Sequence, residues 1–104
     1  MTNSYIALDL ETTGLEARLD KITEIAALRV EDGRVEERFV TLVNPGRQLG
    51  ERITALTGIT DDMVKDAPVI EDTIGDVVRF CGNLPLLGHN ILFDYAFLKR
   101  AAVN

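Results

Sequence analysis

Two carboxylates separated by a single residue, Asp9 and Glu11, follow an apolar stretch near the start of the sequence. In a strand, side chains alternate between the two faces, so both acids would project from one side, with Cα atoms about 7 Å apart. Two anions so close to a buried strand are costly unless a cation lies between them. Carboxylate oxygens suit hard divalent ions such as Mg²⁺ or Mn²⁺. The competing interpretation is a strand that simply ends in two solvated acids.

A third carboxylate, Asp94, follows in the segment 89–94, where a predicted fourth strand passes into a predicted helix. A position in the first turn of that helix favours an anion, because the helix dipole is positive there. If the fourth strand lies next to the first, Asp94 comes close to Asp9 and Glu11. Three carboxylates in one place can form a two-metal cage for phosphoryl transfer. The alternative is that Asp94 only stabilises the start of the helix.

The elements that must position these acids are predicted from hydrophobic periodicity and turn residues. An Asp-Gly pair at Asp32 and Gly33 predicts a hairpin, and the crossover rule makes a strand that follows a helix parallel. The first strand is apolar on both faces, which predicts cover on both sides. The result is an α/β domain whose mixed sheet has a three-stranded antiparallel meander plus a parallel strand, with packed helices. Thr60 is predicted to cap a short helix at 61–65. The predicted strands are 4–10, 22–30, 35–43 and 84–88, and the predicted helices are 51–56, 61–65, 68–81 and 90–103.

Composition limits the classes of function. A chain of 104 residues forms one domain, residues 1–104, and its 46% hydrophobic and 27% charged residues are typical of a globular protein. No apolar run is long enough to cross a bilayer, and a single cysteine is compatible with a reducing cytoplasm. We therefore expect a cytoplasmic protein with no membrane partner. A net charge of −6 argues against a basic surface for nucleic acid, although metal-bound carboxylates would offset part of that charge.

Both acidic segments and a loop between them closely resemble the motifs of the DnaQ-like (DEDD) 3′–5′ exonucleases. This family includes the exonuclease domains of bacterial DNA polymerase III, in the epsilon subunit and in PolC. The resemblance runs from Tyr5 to Ala101 and implies an RNase H-like fold. The matching stretches are Asp9-Leu10-Glu11-Thr12-Thr13-Gly14-Leu15, Ile53-Thr54-Ala55-Leu56-Thr57-Gly58-Ile59-Thr60, and His89-Asn90-Ile91-Leu92-Phe93-Asp94 followed by Phe97-Leu98.

The resemblance implies a two-metal hydrolysis of the terminal phosphodiester bond of single-stranded nucleic acid, with two Mg²⁺ or Mn²⁺ ions. Asp9 would bridge both ions, Glu11 would hold the ion beside the nucleophile, and Asp94 would complete the cage. The expected partners are the 3′ end of single-stranded DNA, or RNA, and a DNA polymerase.

The residues that the resemblance assigns to substrate binding fall into two groups. One group would contact the 3′-terminal nucleotide, and the other would act as apolar wedges or orient a phosphate. Ordinary core packing is the alternative for the two wedges, Leu56 and Phe93, and helix capping is the alternative for Asn90. The full set is Thr12, Thr13, Gly14, Leu56, Asn90 and Phe93.

One departure from the family pattern concerns the general base. A third motif, His-x-Ala-x-x-Asp or Tyr-x-x-x-Asp, should follow the Asp94 helix, and none follows it within these residues. We therefore expect the N-terminal portion of an exonuclease domain, truncated before the fifth strand, with little or no turnover. The other hypothesis is a non-catalytic interaction module that pairs its open sheet edge with another chain or with itself. The choices between DNA and RNA, and between a free-standing enzyme and part of a polymerase, stay open.

Overall fold

Three long strands joined by short connections form most of the sheet: β1 (Ser4–Thr12), β2 (Ile22–Glu31) and β3 (Arg34–Leu42). The computed structural model describes residues 3–103. Both pairs of neighbours, β1 with β2 and β2 with β3, are antiparallel. Asp32 and Gly33 turn the chain with φ angles of 50° and 82°. This confirms the predicted hairpin, since such a tight turn needs two residues that tolerate the left-handed region.

The second half of the chain is mostly helical and adds one short strand. That strand, β4 (Leu86–Leu87), pairs in parallel with β1, with Ile6 opposite Leu86. The sheet order is β3-β2-β1-β4, which confirms the predicted mixed sheet. β4 has only two residues because Pro85 before it has no N–H to offer, although its carbonyl accepts from the Ile6 N–H at 2.8 Å. The elements are α1 (Gly50–Thr57), α2 (Asp61–Val64), α3 (Ile70–Cys81), β4 (Leu86–Leu87) and α4 (Ile91–Val103).

One face of the sheet packs on α3 and α4 and forms the main core. Alternation in β1 turns every second side chain toward this face, and the helical spacing in α3 does the same for Val77. Within residues 3–103, no helix is both long and apolar enough to span a bilayer. The buried residues of this core are Ile6, Leu8, Leu10, Ile22, Ile25, Ala27, Val43, Val77, Phe97 and Leu98.

A smaller apolar cluster holds α1 and α2 against the other face of the sheet. Leu42 lies in register with Glu24, and Glu24 with Glu11, so these three side chains share that face. Buried Leu49, Ile59 and Val64 pack there with Leu42 and Ile53. The predicted cap of α2 is confirmed, because Thr60 Oγ1 accepts from the Met63 N–H at 3.2 Å. This cluster fixes α1 beside the end of β1.

Two details of the predicted fold are wrong. Helix α3 begins at Ile70 and not at residue 68, because Asn44 bridges Val69 and its N–H donates to the Pro68 carbonyl at 2.8 Å. That pairing keeps residues 68–69 extended. The described residues also leave the second face of β1 only partly covered: Ala7 is half-buried and Asp9 is exposed.

Candidate active site

Asp9 and Glu11 project from the same face of β1. The alternate residues Leu8 and Leu10 are 3% and 6% exposed in the core, so the two acids lie on the opposite face, as predicted. Asp9 is exposed and Glu11 is half-buried. The β1–β2 register shifts after Glu11, so that Thr12 pairs with Ile22. Such a bulge bends the strand and turns the following residues away from the sheet.

Asp94 reaches β1 from the first turn of α4 and is only 5% exposed. Gly88, in the connection between β4 and α4, explains how α4 comes so near. A Cβ on Gly88 would lie 2.7 Å from the Leu8 carbonyl oxygen and 3.5 Å from Asp94 Oδ2. Only glycine allows this approach, because a side chain would collide with the β1 backbone.

Asp94 and Glu11 lie close enough to neighbouring acids for those negative charges to alter their protonation. Burial raises the pKa of Asp94 from 3.8 to about 6, with further contributions from the negative charges of Asp9 and Glu11. Burial, followed by the charges of Asp9 and Glu24, also raises the pKa of Glu11. The structure thus brings the three predicted acids together at the end of β1.

The chemistry of these donors fits divalent metal ions, which exonucleases of this kind generally use. All three are carboxylates, and no salt bridge joins them to Lys or Arg within the described part of the chain. A cation would relieve their mutual repulsion. As the side chains stand, however, no three Asp, Glu, His or Cys residues between 3 and 103 enclose an ion position. The fit is therefore one of charge and donor type.

A cleft of about 520 Å³ adjoins Glu11. One wall is formed by residues 10–15 and the other by α1. Four residues assigned to substrate by resemblance line it: Thr12, Thr13, Gly14 and Leu56. Leu56 is 73% exposed, so the core-packing alternative does not apply to it.

The rim of this cleft is held by Asp20, which the sequence analysis missed. Asp20 accepts from Thr13 Oγ1 at 3.1 Å and from the Glu16 N–H at 3.0 Å. Thr13 is also tied to Lys21, because its N–H donates to the Lys21 carbonyl at 2.8 Å. Thr12 Oγ1 donates to the Gly14 carbonyl at 2.6 Å. The sequence contained a sign of this role. Asp20 lies in a short loop with threonine and glycine, and a carboxylate there can accept hydrogen bonds from the loop's hydroxyl and N–H groups.

Asn90 and Phe93 lie outside the lining of the cleft. Phe93 is half-buried against the main core, with its ring centroid 5.0 Å from that of Phe97. The Asn90 carbonyl accepts from the N–H groups of Phe93 and Asp94 at 3.0 and 3.3 Å, immediately before α4. These contacts favour core packing for Phe93 and a helix-start position for Asn90.

The sequence of this chain is similar to the sequences of known proteins. A family model described as exonuclease matches residues 6–104. The PolC-type DNA polymerase III of Bacillus subtilis is 45% identical over 98 residues, which cover 94% of this chain and 7% of that protein. The corresponding protein of Thermotoga petrophila is 36% identical over 96 residues, 92% of this chain and 7% of that one. The chain thus spans about 7% of the length of these relatives.

Solved structures give the same result. Exonuclease X, in complex with 5′ overhanging duplex DNA, superposes with a TM-score of 0.75 at 34% identity, covering 89% of this chain and 52% of that one. Product-bound exonuclease I superposes with a TM-score of 0.83 at 20% identity, covering 97% and 25%, and supports the RNase H-like fold alone. Because the family model covers nearly the whole sequence, this chain belongs to the exonuclease family.

Proposed function

We propose that this chain is a metal-dependent 3′–5′ exonuclease domain that acts on the terminal phosphodiester bond of single-stranded DNA. The observation that carries the proposal is the convergence of Asp9, Glu11 and Asp94 beside the open cleft. The PolC-type relatives are DNA polymerases, which favours DNA and a proofreading role in a polymerase.

Each acid has a distinct part in this proposal. Asp9 would bridge two Mg²⁺ or Mn²⁺ ions, Glu11 would hold the one beside the attacking water, and Asp94 would complete the cage. When bound, the two ions stabilise the attacking and leaving oxygens of an in-line displacement. Asp94, with a pKa of about 6, carries its charge at neutral pH, as a metal ligand must.

The cleft supplies the place for the strand end. Gly14 would allow the backbone to approach the terminal nucleotide. The hydrogen bond to Asp20 keeps Thr13 in position, and the one to the Gly14 carbonyl keeps Thr12 in position. The exposed Leu56 side chain would contact a terminal base from the other wall. Asn90 and Phe93, at the start of α4, would affect the strand only indirectly, because neither lines the cleft.

Cation binding tests the cage directly. In a calorimetric titration with Mg²⁺ or Mn²⁺, we expect the wild type to bind and Asp94→Asn to bind much more weakly. Asp66→Asn, an exposed acid after α2, removes the same charge elsewhere and should bind as the wild type does. Equal affinities for all three proteins would refute the cage.

Strand polarity is tested with 5′-labelled oligonucleotides at high protein concentration in Mn²⁺. We expect at most slow shortening from the 3′ end, lost in Asp9→Ala, because no third motif follows Asp94 within these residues. A parallel RNA oligonucleotide separates DNA from RNA specificity. Rapid digestion that depends on Asp9 would contradict the expected low turnover, and shortening from the 5′ end would refute the polarity.

Edge pairing, the other hypothesis, is opposed by the composition of the sheet edges. β3 is an edge strand that carries the exposed charges Glu36, Glu37 and Arg38. Charges on an edge strand disfavour pairing with a second chain. The other edge, β4, is two residues long. Light scattering that shows a monomer at high concentration would support the exonuclease proposal over self-association.

A further inference from the structure

Arg52 stands in the wall of the cleft, opposite the loop that follows Glu11. Among the residues that line the cleft it is the one cation; the others are apolar residues, threonines, Gly14 and Glu11. The cleft therefore combines an acid at one end with a positive charge on the facing helix.

Arg52 and Leu56 are one helical turn apart on α1. Residues four apart lie on one face of a helix, with Cβ atoms about 5–6 Å from each other. Leu56 is 73% exposed, and both side chains line the same cleft. An apolar group and a cation thus stand side by side, which suits a base and a neighbouring phosphate of one strand.

Local structure gives no other reason for an arginine at this position. No salt bridge involves Arg52 anywhere in residues 3–103. It lies near the N-terminal end of α1, where the helix dipole disfavours a cation and favours acids such as its neighbour Glu51. Neither an ion pair nor the helix dipole therefore accounts for an arginine at this position.

The net charge of the chain is a further argument for a substrate contact by Arg52. The chain carries a net charge of −6 and would repel a polyanion as a whole. Local positive charge in the cleft would offset this repulsion where a single strand approaches the acids. We propose that Arg52 binds a backbone phosphate of the single strand in the cleft while Leu56 contacts a base. This inference rests on the proposed function and extends it to a substrate contact.

The salt dependence of binding tests the inference without any turnover. The probe is a short 5′-fluorescein oligothymidylate, and its affinity is measured by anisotropy from about 50 to about 200 mM KCl. Loss of one phosphate contact to a single strand should reduce the slope of log affinity against log salt by about 0.7. We expect this reduction, with weaker binding at low salt, for Arg52→Gln and its reversal in Arg52→Lys.

Arg34→Gln is the matched control. Arg34 is exposed at the start of β3, in register with Glu31, at the opposite end of the sheet from Glu11. The Arg34→Gln variant loses the same charge and should keep the wild-type slope of log affinity against log salt. Equal reductions in Arg52→Gln and Arg34→Gln would overturn the inference, because the effect would then be one of net charge.

Leu56→Ala separates this inference from the proposed function. If Leu56→Ala weakens binding while Arg52→Gln keeps the wild-type affinity and slope, the cleft binds the strand and Arg52 does not contact it. If the wild type shows no binding to the oligonucleotide, the proposed function fails and the inference fails with it. Arg52 is exposed, so circular dichroism melts of its variants should match the wild type.

Discussion

A Cβ atom on Gly14 would lie 2.4 Å from Oδ2 of Asp20, far inside van der Waals contact. Asp20 occupies this space because it accepts hydrogen bonds from Thr13 Oγ1 and the Glu16 N–H. The glycine is required by this close approach and not by a left-handed backbone, since its φ is not positive. The two residues together set the shape of the cleft rim.

Gly14→Ala should therefore damage both stability and binding. Asp20 would have to move and lose its two hydrogen bonds, at a cost of about 1–3 kcal/mol in the free energy of unfolding. Urea denaturation measures the first effect and oligonucleotide anisotropy the second.

Gly75→Ala, within α3, is the control for the same substitution. The nearest atom to a Cβ there is Arg79 Nη1 at 3.4 Å, at the end of a flexible side chain. We expect a gain of about 0.5–1 kcal/mol, because glycine weakens a helix interior. A Gly14→Ala variant as stable as Gly75→Ala would disprove the role of Asp20.

Asp94→Asn should stabilise the metal-free fold in a pH-dependent way. The folded pKa of Asp94, about 6, is higher than its ordinary value of 3.8, so the folded state binds the proton more tightly. The contribution of Asp94 to stability is therefore complete below the ordinary pKa and is lost as the pH rises through about 6. The variant should gain about 2–3 kcal/mol at about pH 8 and little at about pH 4.

Urea denaturation in a chelator at both pH values measures this gain. Asp66→Asn, at an exposed position, is the comparison and should show no comparable change. A gain for Asp94→Asn that is the same at both pH values would contradict the electrostatic explanation.

Two buried threonines should respond in opposite ways to replacement by valine. Thr23 is fully buried, and its Oγ1 finds no hydrogen-bond partner among the described residues. Thr73 is 4% exposed, and its Oγ1 donates to the Val69 carbonyl at 3.0 Å. Thr23→Val should therefore stabilise the fold by about 1–2 kcal/mol, because an unpaired buried hydroxyl is removed.

Thr73→Val should destabilise the fold by about 1 kcal/mol through its lost hydrogen bond. Thermal denaturation of the two variants in the same buffer gives the comparison. A Thr23→Val protein less stable than the wild type would show that its hydroxyl has a partner in solution.

Leu56 and Phe93 have the same two interpretations from sequence, but alanine at each position should affect stability and oligonucleotide binding differently. Phe93 packs on the core and on Phe97, so Phe93→Ala should lower the free energy of unfolding by about 2–4 kcal/mol. Leu56 is mostly exposed, so Leu56→Ala should change stability by less than about 0.5 kcal/mol and weaken oligonucleotide binding. A large loss of stability in Leu56→Ala would restore the core-packing interpretation.

Features that depend on neighbours along the chain were predictable from local sequence. Alternation along a strand places Asp9 and Glu11 on one face, and Asp32-Gly33 can make only a tight turn. Thr60 as a cap and Gly82 after α3 follow from equally local chemistry. The order of strands and helices follows from the same periodicities, so the mixed sheet was predictable.

The surroundings of each side chain depend instead on contacts between segments that are distant along the chain. The distance from Asp94 to β1 depends on the parallel pairing of β4 and on the contact between Gly88 and Leu8, which join distant segments. The same holds for Asp20 against Gly14, for the exposure of Leu56 and for the core contacts of Phe93. Burial and pKa arise from the summed packing of several elements, and no local spacing along the chain encodes that sum.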